Sequence, residues 1–287
     1  MTEEYVTVNG LNTRYLVSGT GPVIILVHGL GEFLENWLFN LSALSKHFTV
    51  YAMDLPGHGL SDESKHGYTI GLNAEFVVNF MAKMGISHAS IIGHSMGGPI
   101  CLNLATDSPT KVDKLILVST GGLSDKVPLS YRLATIPLLG SILLGPSLFV
   151  NKTTIRTGMK RQFYEPKSIP KEWVNAAYKH LKRPNRNKIM VNIIKNCTRL
   201  DSIRPEADIT SKLPLVEQPT LIIHGLHDKV IPVEHAYKVS NLIPNVRLEI
   251  FDRCGHNPQV EKPSEFNELV LTFLRSNEHL IEHQNKG

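Results

Sequence analysis

The sequence has few cysteines and no long apolar run, and these two absences exclude several classes of protein. Three cysteines among 287 residues are too few for a disulfide framework or a thiolate zinc site. The most apolar stretch, residues 133–150, is broken by two prolines and two glycines and is too interrupted to span a bilayer. The chain opens Met-Thr-Glu-Glu, without the basic and then apolar segments of a secretory signal. We therefore expect a cytoplasmic protein without stable membrane insertion.

The chain has little net charge overall, but its basic and acidic residues are unevenly distributed. The net charge is +4, and 42% of the residues are hydrophobic, which is enough for a sizeable core. Residues 152–204 contain fourteen Lys or Arg against three acids, a net charge of +11, so the rest carries −7. This basic segment is either a solvated face or a funnel for anionic molecules. It also contains aromatics, but no nucleic-acid-binding motif accompanies them, and we expect no nucleic-acid partner.

Short apolar strands alternate with helical segments over most of the chain. Strand-like runs occur at residues 5–8, 14–17, 22–27, 48–53, 89–92, 114–118, 220–223 and 247–251. Helical apolar spacing occurs at residues 34–44, 70–84, 99–106, 234–242 and 266–274. This alternation predicts an α/β fold with a mostly parallel sheet that is covered by helices on both faces.

The alternation stops in the middle of the chain. Residues 122–213 are helical in composition, irregular and punctuated by proline, and they hold both the apolar stretch and the basic surplus. We therefore predict an α/β core formed by residues 1–121 and 214–287, with residues 122–213 inserted as a helical cap or lid.

A candidate nucleophile lies between a predicted strand and a predicted helix. Residues 93–97 read Gly-His-Ser-Met-Gly, the pattern G-x-S-x-G. A serine on a sharp strand-to-helix turn needs small neighbours, and the turn lifts its hydroxyl towards the positive N-terminal end of the helix. This context favours Ser95 as a nucleophile over an ordinary glycine-rich loop.

A serine nucleophile needs a base that is oriented by a third group. His256 follows the last predicted strand and Asp228 follows the strand before it, so both belong to the same carboxyl edge of the sheet as Ser95. The rival base is His227, which is adjacent to Asp228 in sequence. The rival acid is Asp125, which lies at the entry of the predicted cap.

Acyl chemistry also needs two N–H donors for the oxyanion. Residues 28–31 read His-Gly-Leu-Gly directly after a buried strand, and we predict the backbone N–H groups of Leu30 and Met96 as the donors. We interpret the nearby histidines His28, His58 and His94 as structural.

A metal site would have to come from His224, His227 and Asp228, which follow one another closely. A strand end does not arrange this set around one ion, so we expect no metal.

Together, residues 28–31, 54–61, 93–98, 225–228 and 254–256 resemble the α/β-hydrolase fold family. The resemblance implies an eight-stranded sheet with an antiparallel second strand, a helical cap and no cofactor. It also implies that Ser95, Asp228 and His256 form the catalytic triad, in the family's chain order, and that Leu30 and Met96 supply the oxyanion hole. Epoxide hydrolases and haloalkane dehalogenases of this family carry an aspartate at the nucleophile position, so the serine argues against both.

The expected activity is that of a serine carboxylesterase acting on a small-molecule ester with an apolar acyl part and an anionic group. C–C bond hydrolases of ring-cleavage products look similar around residues 95–98 and 254–256. They usually carry Asn before the nucleophile and Trp after the base, where this chain has His94 and Asn257. Thioesterase, acyltransferase and non-catalytic ligand-receptor functions stay open, as does the oligomeric state.

Overall fold

One sheet of eight strands organises the chain. The computed structural model describes residues 2–122, 132–133, 135–136, 150–183, 186–199 and 202–276. The strands are β1 (Thr2–Val8), β2 (Leu11–Ser18), β3 (Val23–Val27), β4 (Thr49–Met53), β5 (Ala89–His94), β6 (Val112–Val118), β7 (Thr220–Gly225) and β8 (Val246–Phe251). Their order in the sheet is β1-β2-β4-β3-β5-β6-β7-β8.

The sheet is parallel except at its N-terminal edge. β2 runs antiparallel to both β1 and β4, whereas every other neighbouring pair is parallel. The prediction of a mostly parallel eight-stranded sheet with an antiparallel second strand is confirmed. Because the central strands are parallel, the loops that follow β3, β5, β7 and β8 emerge at one edge.

Helices cover both faces of the sheet, as predicted. The helices are α1 (Leu38–Leu44), α2 (Ile70–Lys83), α3 (Gly97–Asp107), α4 (Lys152–Met159), α5 (Lys171–Leu181), α6 (Arg186–Cys197), α7 (Glu234–Ser240), α8 (Pro258–Glu261) and α9 (Pro263–Arg275). In β3, Ile25 and Val27 belong to the core cluster that includes side chains of α2, α3 and α7, whereas Ile24 and Leu26 belong to the cluster that includes side chains of α1 and α9. The alternation of side chains along a strand therefore places apolar groups in two cores. None of the helices in these ranges is both long and apolar enough to cross a membrane.

Residues 150–183 pack around a separate, smaller apolar cluster. Phe163 and Trp173 are buried in it and meet edge to face, with their ring centroids 5.4 Å apart. Phe33, from the loop after β3, and Val260, from α8, belong to the same cluster. This cluster fastens the segment to the edge of the sheet at which β3 and β8 end.

Arg186, at the start of α6, binds the loops beneath it. Its guanidinium donates hydrogen bonds to the carbonyls of Gly57 and Gly31, each at 2.8 Å.

The division into an α/β core and a cap of residues 122–213 stays a prediction. Most of the apolar stretch 133–150 lies outside the described residues.

Candidate active site

Ser95 occupies a tight turn between β5 and α3. Its φ is +52°, a conformation that non-glycine residues rarely adopt. A Cβ added to Gly93 would lie 2.3 Å from the carbonyl oxygen of Gly97, and one added to Gly97 would lie 2.3 Å from that of Val27. The turn therefore requires glycine at both positions. The N–H of Ser95 donates to the carbonyl of Val118 at 2.9 Å, which holds the turn against β6.

The three predicted triad side chains lie together at the carboxyl edge of the sheet. The Oγ of Ser95 is 3.1 Å from Nε2 of His256, and Nδ1 of His256 is 2.7 Å from Oδ2 of Asp228. His256 is 3% exposed and Asp228 is 7% exposed, so both are shielded from water. This geometry lets the serine donate its proton to an imidazole whose other nitrogen donates to a carboxylate.

Asp228 is held in its ionised form. Burial alone would raise its pKa, but His256 and His224 outweigh burial and hold the pKa well below its usual range. The other carboxylate oxygen, Oδ1, accepts hydrogen bonds from the N–H groups of Val230 and Ile231 at 2.7 and 2.9 Å.

His224 is a second histidine partner of Asp228, and the sequence did not indicate this role. Its Nε2 lies 2.9 Å from the carbonyl of Ile231, to which it donates, and 3.2 Å from Oδ2 of Asp228. Within the ranges that the structure covers, no three His, Cys, Asp or Glu side chains are grouped so that they could hold a metal ion.

The rival base His227 contacts residues other than the serine. Its side chain is 43% exposed, stacks on Tyr164 with a centroid separation of 4.8 Å and approaches Asp252 at 3.7 Å. The rival acid Asp125 lies outside the described residues.

The loop after β3 brings the free amide of Leu30 to the cavity that Ser95 also lines. The N–H of Gly29 donates to Oε2 of Glu32 at 2.7 Å, and the carbonyl of Gly29 accepts from Nδ1 of His28 at 2.9 Å. Neither the N–H of Leu30 nor that of Met96 bonds to any group in the described part of the chain. These two amides are therefore free of partners in that part of the chain, and their role as oxyanion donors stays a prediction.

Glu261 clamps the loop that carries His256, another role that the sequence did not indicate. One of its oxygens accepts from the N–H groups of Gly255 and Asn257 at 2.9 and 3.2 Å, and the other accepts from Tyr164 at 2.7 Å. Burial raises the pKa of Glu261. A glutamate in a short helix is usually solvated, so the sequence gives no sign of these hydrogen bonds. They become visible only in the folded structure.

Ser95 opens into a cavity of about 160 Å³. Apolar side chains from α6, from the loop that precedes β7 and from the loop after Asp228 line much of it, among them Ile194, Ile203, Val230 and Ile231. An engineered apolar cavity of about 150 Å³ in another protein binds benzene. The cavity therefore has the size of a short acyl chain or a single ring.

Comparison with known proteins identifies the family. A profile of the α/β hydrolase fold matches residues 22–263. The chain belongs to the α/β-hydrolase fold family. It is 29% identical to a 2-hydroxy-6-oxo-6-(2'-aminophenyl)hexa-2,4-dienoic acid hydrolase of Metapseudomonas resinovorans, over 95% of this chain and 90% of the relative.

Two further similarities involve different chemistry. The chain is 28% identical to the dihydrolipoyllysine-residue acetyltransferase component of the acetoin cleaving system of Cupriavidus necator, over 94% of this chain and 68% of the relative. The crystal structure of a bacterial membrane phospholipase A superposes with a TM-score of 0.79 at 27% identity, covering 95% of this chain and 85% of the other. The proteins that this α/β hydrolase resembles therefore carry the names of several different activities. The activity of this chain has to be inferred from its own site.

Proposed function

We propose that this α/β hydrolase is a serine hydrolase that cleaves carboxylic esters through an acyl-enzyme on Ser95. The observation that carries the proposal is the hydrogen-bond chain from Ser95 through His256 to Asp228. The free amides of Leu30 and Met96 and the adjoining apolar cavity support it.

In the proposed reaction, Oγ of Ser95 attacks the ester carbonyl while its proton passes to Nε2 of His256. Asp228 holds the imidazole in the tautomer that accepts this proton and stabilises the imidazolium. The amides of Leu30 and Met96 donate to the oxyanion. As the C–O bond breaks, His256 returns the proton to the leaving alkoxide, and the acyl group stays on Ser95.

The second half of the reaction repeats the same steps with water. His256 takes a proton from a water molecule, and the hydroxide formed attacks the acyl-enzyme. The tetrahedral intermediate then releases the carboxylic acid, and the proton returns to Ser95. The apolar cavity excludes bulk water from the acyl chain while the ester bond stays at the edge of the sheet.

Cleavage of a C–C bond in a ring-cleavage dienone is the second candidate, favoured by the similarity to the dienoic acid hydrolase. The contacts of His94, the residue before the nucleophile, support the ester proposal. Both ring nitrogens of His94 face acceptors, Oε2 of Glu32 and the carbonyl of His256, each at 2.9 Å. The side chain before the nucleophile is therefore occupied and not free to bind a substrate. A panel of p-nitrophenyl esters, thioesters and dienones ranks the activities by kcat/KM, and a dominant dienone turnover would replace the ester proposal.

The test of the serine mechanism combines labelling with mutation. We expect a fluorophosphonate to label the protein at one site, Ser95, and to abolish ester turnover. Ser95→Ala should lose labelling and about 10⁶-fold in kcat, as nucleophile removal does in other triads. The matched control is Ser42→Ala, which changes an exposed serine of α1 and should retain full activity. Comparable turnover in Ser95→Ala would exclude the proposed mechanism.

A further inference from the structure

A buried carboxylate lies inside the loop that presents the Leu30 amide. Oε2 of Glu32 accepts three hydrogen bonds, from the N–H of Gly29 at 2.7 Å, from Nδ2 of Asn36 at 2.8 Å and from Nδ1 of His94 at 2.9 Å. The Glu32 side chain is only 12% exposed. Such a carboxylate is costly to bury and needs a compensating charge.

His94 supplies that charge. Its ring is fully buried; Nδ1 lies 2.9 Å from the Glu32 carboxylate and 3.1 Å from Nδ2 of Asn36, and Nε2 lies 2.9 Å from the His256 carbonyl. Because the Asn36 amide donates to Oε2 of Glu32 at 2.8 Å, each ring nitrogen of His94 still has an acceptor of its own, which matches an imidazolium that donates from both nitrogens. Burial alone would lower the pKa of His94, but the charge and hydrogen bond of Glu32 outweigh it and raise the pKa. Glu32, His256 and Asp228 are the ionisable groups that face this ring.

The pair lies next to the nucleophile. A Cβ built on Gly29 would lie 2.8 Å from Oε2 of Glu32 and 2.9 Å from the Cβ of Ser95, so only Gly29 separates the carboxylate from the serine. An unpaired negative charge here would repel the oxyanion that the reaction forms. With His94 protonated, the pair is neutral as a whole.

We propose that Glu32 and His94 form a buried ion pair that positions both the oxyanion loop and the loop of the general base. Glu32 uses the N–H of Gly29, which leaves the next amide, that of Leu30, directed at the substrate. His94 holds the main-chain carbonyl of His256. Both are positioning residues, because neither needs to touch the substrate. This role rests on the proposed serine mechanism.

The protonation state of His94 is tested without any substrate. In histidine-labelled protein, ¹⁵N NMR should show the His94 ring titrating above the ordinary histidine pKa of about 6.5. In Glu32→Gln the same ring should titrate below that value, because burial then acts without a compensating charge. A His94 ring that is neutral in the wild type below pH 6.5 would overturn the ion pair.

The positioning role is tested by the rate at which a fluorophosphonate labels Ser95. A displacement of about 1 Å in a reacting group costs about 10²-fold in rate, and we expect a loss of this order in Glu32→Gln. The matched control is Glu35→Gln, which also removes a buried carboxylate near this loop but one bound to Arg14 and His180. It should be less stable yet label at the wild-type rate.

If Glu32→Gln does not fold, the labelling rate is measured in His94→Gln and in the double variant that combines Glu32→Gln with His94→Gln. Because the two residues act as one unit, the double variant should label no more slowly than the slower single variant. Labelling of Glu32→Gln and His94→Gln at the wild-type rate would overturn the positioning role while leaving the serine mechanism intact. Failure of the wild type to label would instead overturn the proposed function.

Discussion

Both oxygens of Asp228 are engaged, one by His256 and one by two backbone amides. Asp228→Asn should therefore disturb the base without disturbing the turn, because an amide oxygen can still accept from the backbone. Its NH2 group would face Nδ1 of His256 and select the wrong tautomer. The same substitution in another serine triad costs about 10⁴-fold in kcat, and we expect a similar loss here.

The control for this substitution is Asp252→Asn. The Asp252 side chain is 71% exposed and approaches the exposed ring of His227, at 3.7 Å. Steady-state ester hydrolysis by purified variants should show wild-type kcat for Asp252→Asn. If Asp228→Asn also retained wild-type kcat, Asp228 would not be the residue that orients the base.

The sequence predicts which residues meet at the site better than it predicts which residues support them. Ser95, Asp228 and His256 each follow a recognisable strand, and parallel strands bring their carboxyl ends to one edge. Besides nearby amides, Glu32 and Glu261 bind His94 and Tyr164, which lie 62 and 97 residues away in the chain, and no local pattern encodes these two contacts.

At the scale of elements, the turn that carries Ser95 depends on Gly93, a position where no residue with a side chain fits. A Cβ at Gly93 would meet only backbone, so Gly93→Ala must displace the turn itself. We expect a loss of about 3 kcal/mol in the free energy of unfolding, the upper end for overpacking, together with slower labelling of Ser95.

Gly71 in α2 gives the opposite expectation. A Cβ there meets nothing within 4 Å, and the residue is exposed. Gly71→Ala should therefore stabilise the protein by about 0.5–1 kcal/mol through the loss of chain entropy in the unfolded state. Chemical denaturation measures both variants, and equal effects would contradict the steric argument at Gly93.

An ion network joins three elements near the site. Glu35 accepts from Arg14 of β2 at 2.9 Å and from His180 of α5 at 3.1 Å. Burial alone would raise the pKa of Glu35, but these two partners outweigh it and lower the pKa to about 2. A group with a lowered folded-state pKa stabilises the fold fully above its unfolded pKa and loses that contribution as pH falls through the folded value.

The network therefore predicts a pH-dependent difference between the wild type and Glu35→Gln. The shift corresponds to about 3 kcal/mol, so the variant should be less stable by about that amount at pH 7. The difference should shrink between about pH 4.5 and pH 2 as Glu35 is protonated. Urea unfolding at several pH values measures it, and a difference that stays constant would show that Glu35 is not ionised in the folded state.

Element boundaries differ from the predictions where a tertiary contact intervenes. The helix predicted at residues 34–44 is a 3₁₀ turn (Leu34–Trp37) followed by α1. Oδ1 of Asp54 accepts from the N–H of Leu34 at 2.7 Å and holds the start of that turn. The helix predicted at residues 99–106 begins at Gly97, because the turn of Ser95 leads directly into it.

At the scale of the whole molecule, the alternation of strands and helices predicted the sheet, because burial on both faces leaves a strong apolar pattern. The packing of residues 150–183 could not be predicted in the same way. Their cluster depends on Phe33 and Val260 from distant parts of the chain. Several of their arginines also bind backbone carbonyls, as Arg186 does, so part of the basic surplus is structural.

The rest of that surplus lies on the surface. Between residues 152 and 199, nine Lys or Arg side chains in the described ranges are exposed, against the two exposed acids Glu165 and Glu172. Lys152 and Lys182 both lie over the ring of Tyr178, with Nζ atoms 5.9 and 4.5 Å from its centroid. Like charges held this close together produce a positive potential that attracts anions over a distance set by the ionic strength.

We therefore predict that an ester with an apolar acyl part and an anionic group reacts with higher kcat/KM than its neutral analogue at low salt. The advantage should fall as the Debye length shortens from about 30 Å at 0.01 M to about 8 Å at 0.15 M. Lys179→Glu with Lys182→Glu should reduce it, whereas Lys83→Glu, on the exposed surface of α2, should not. If the anionic ester has no advantage at low salt, or if salt affects both esters equally, the basic surface plays no part in substrate selection.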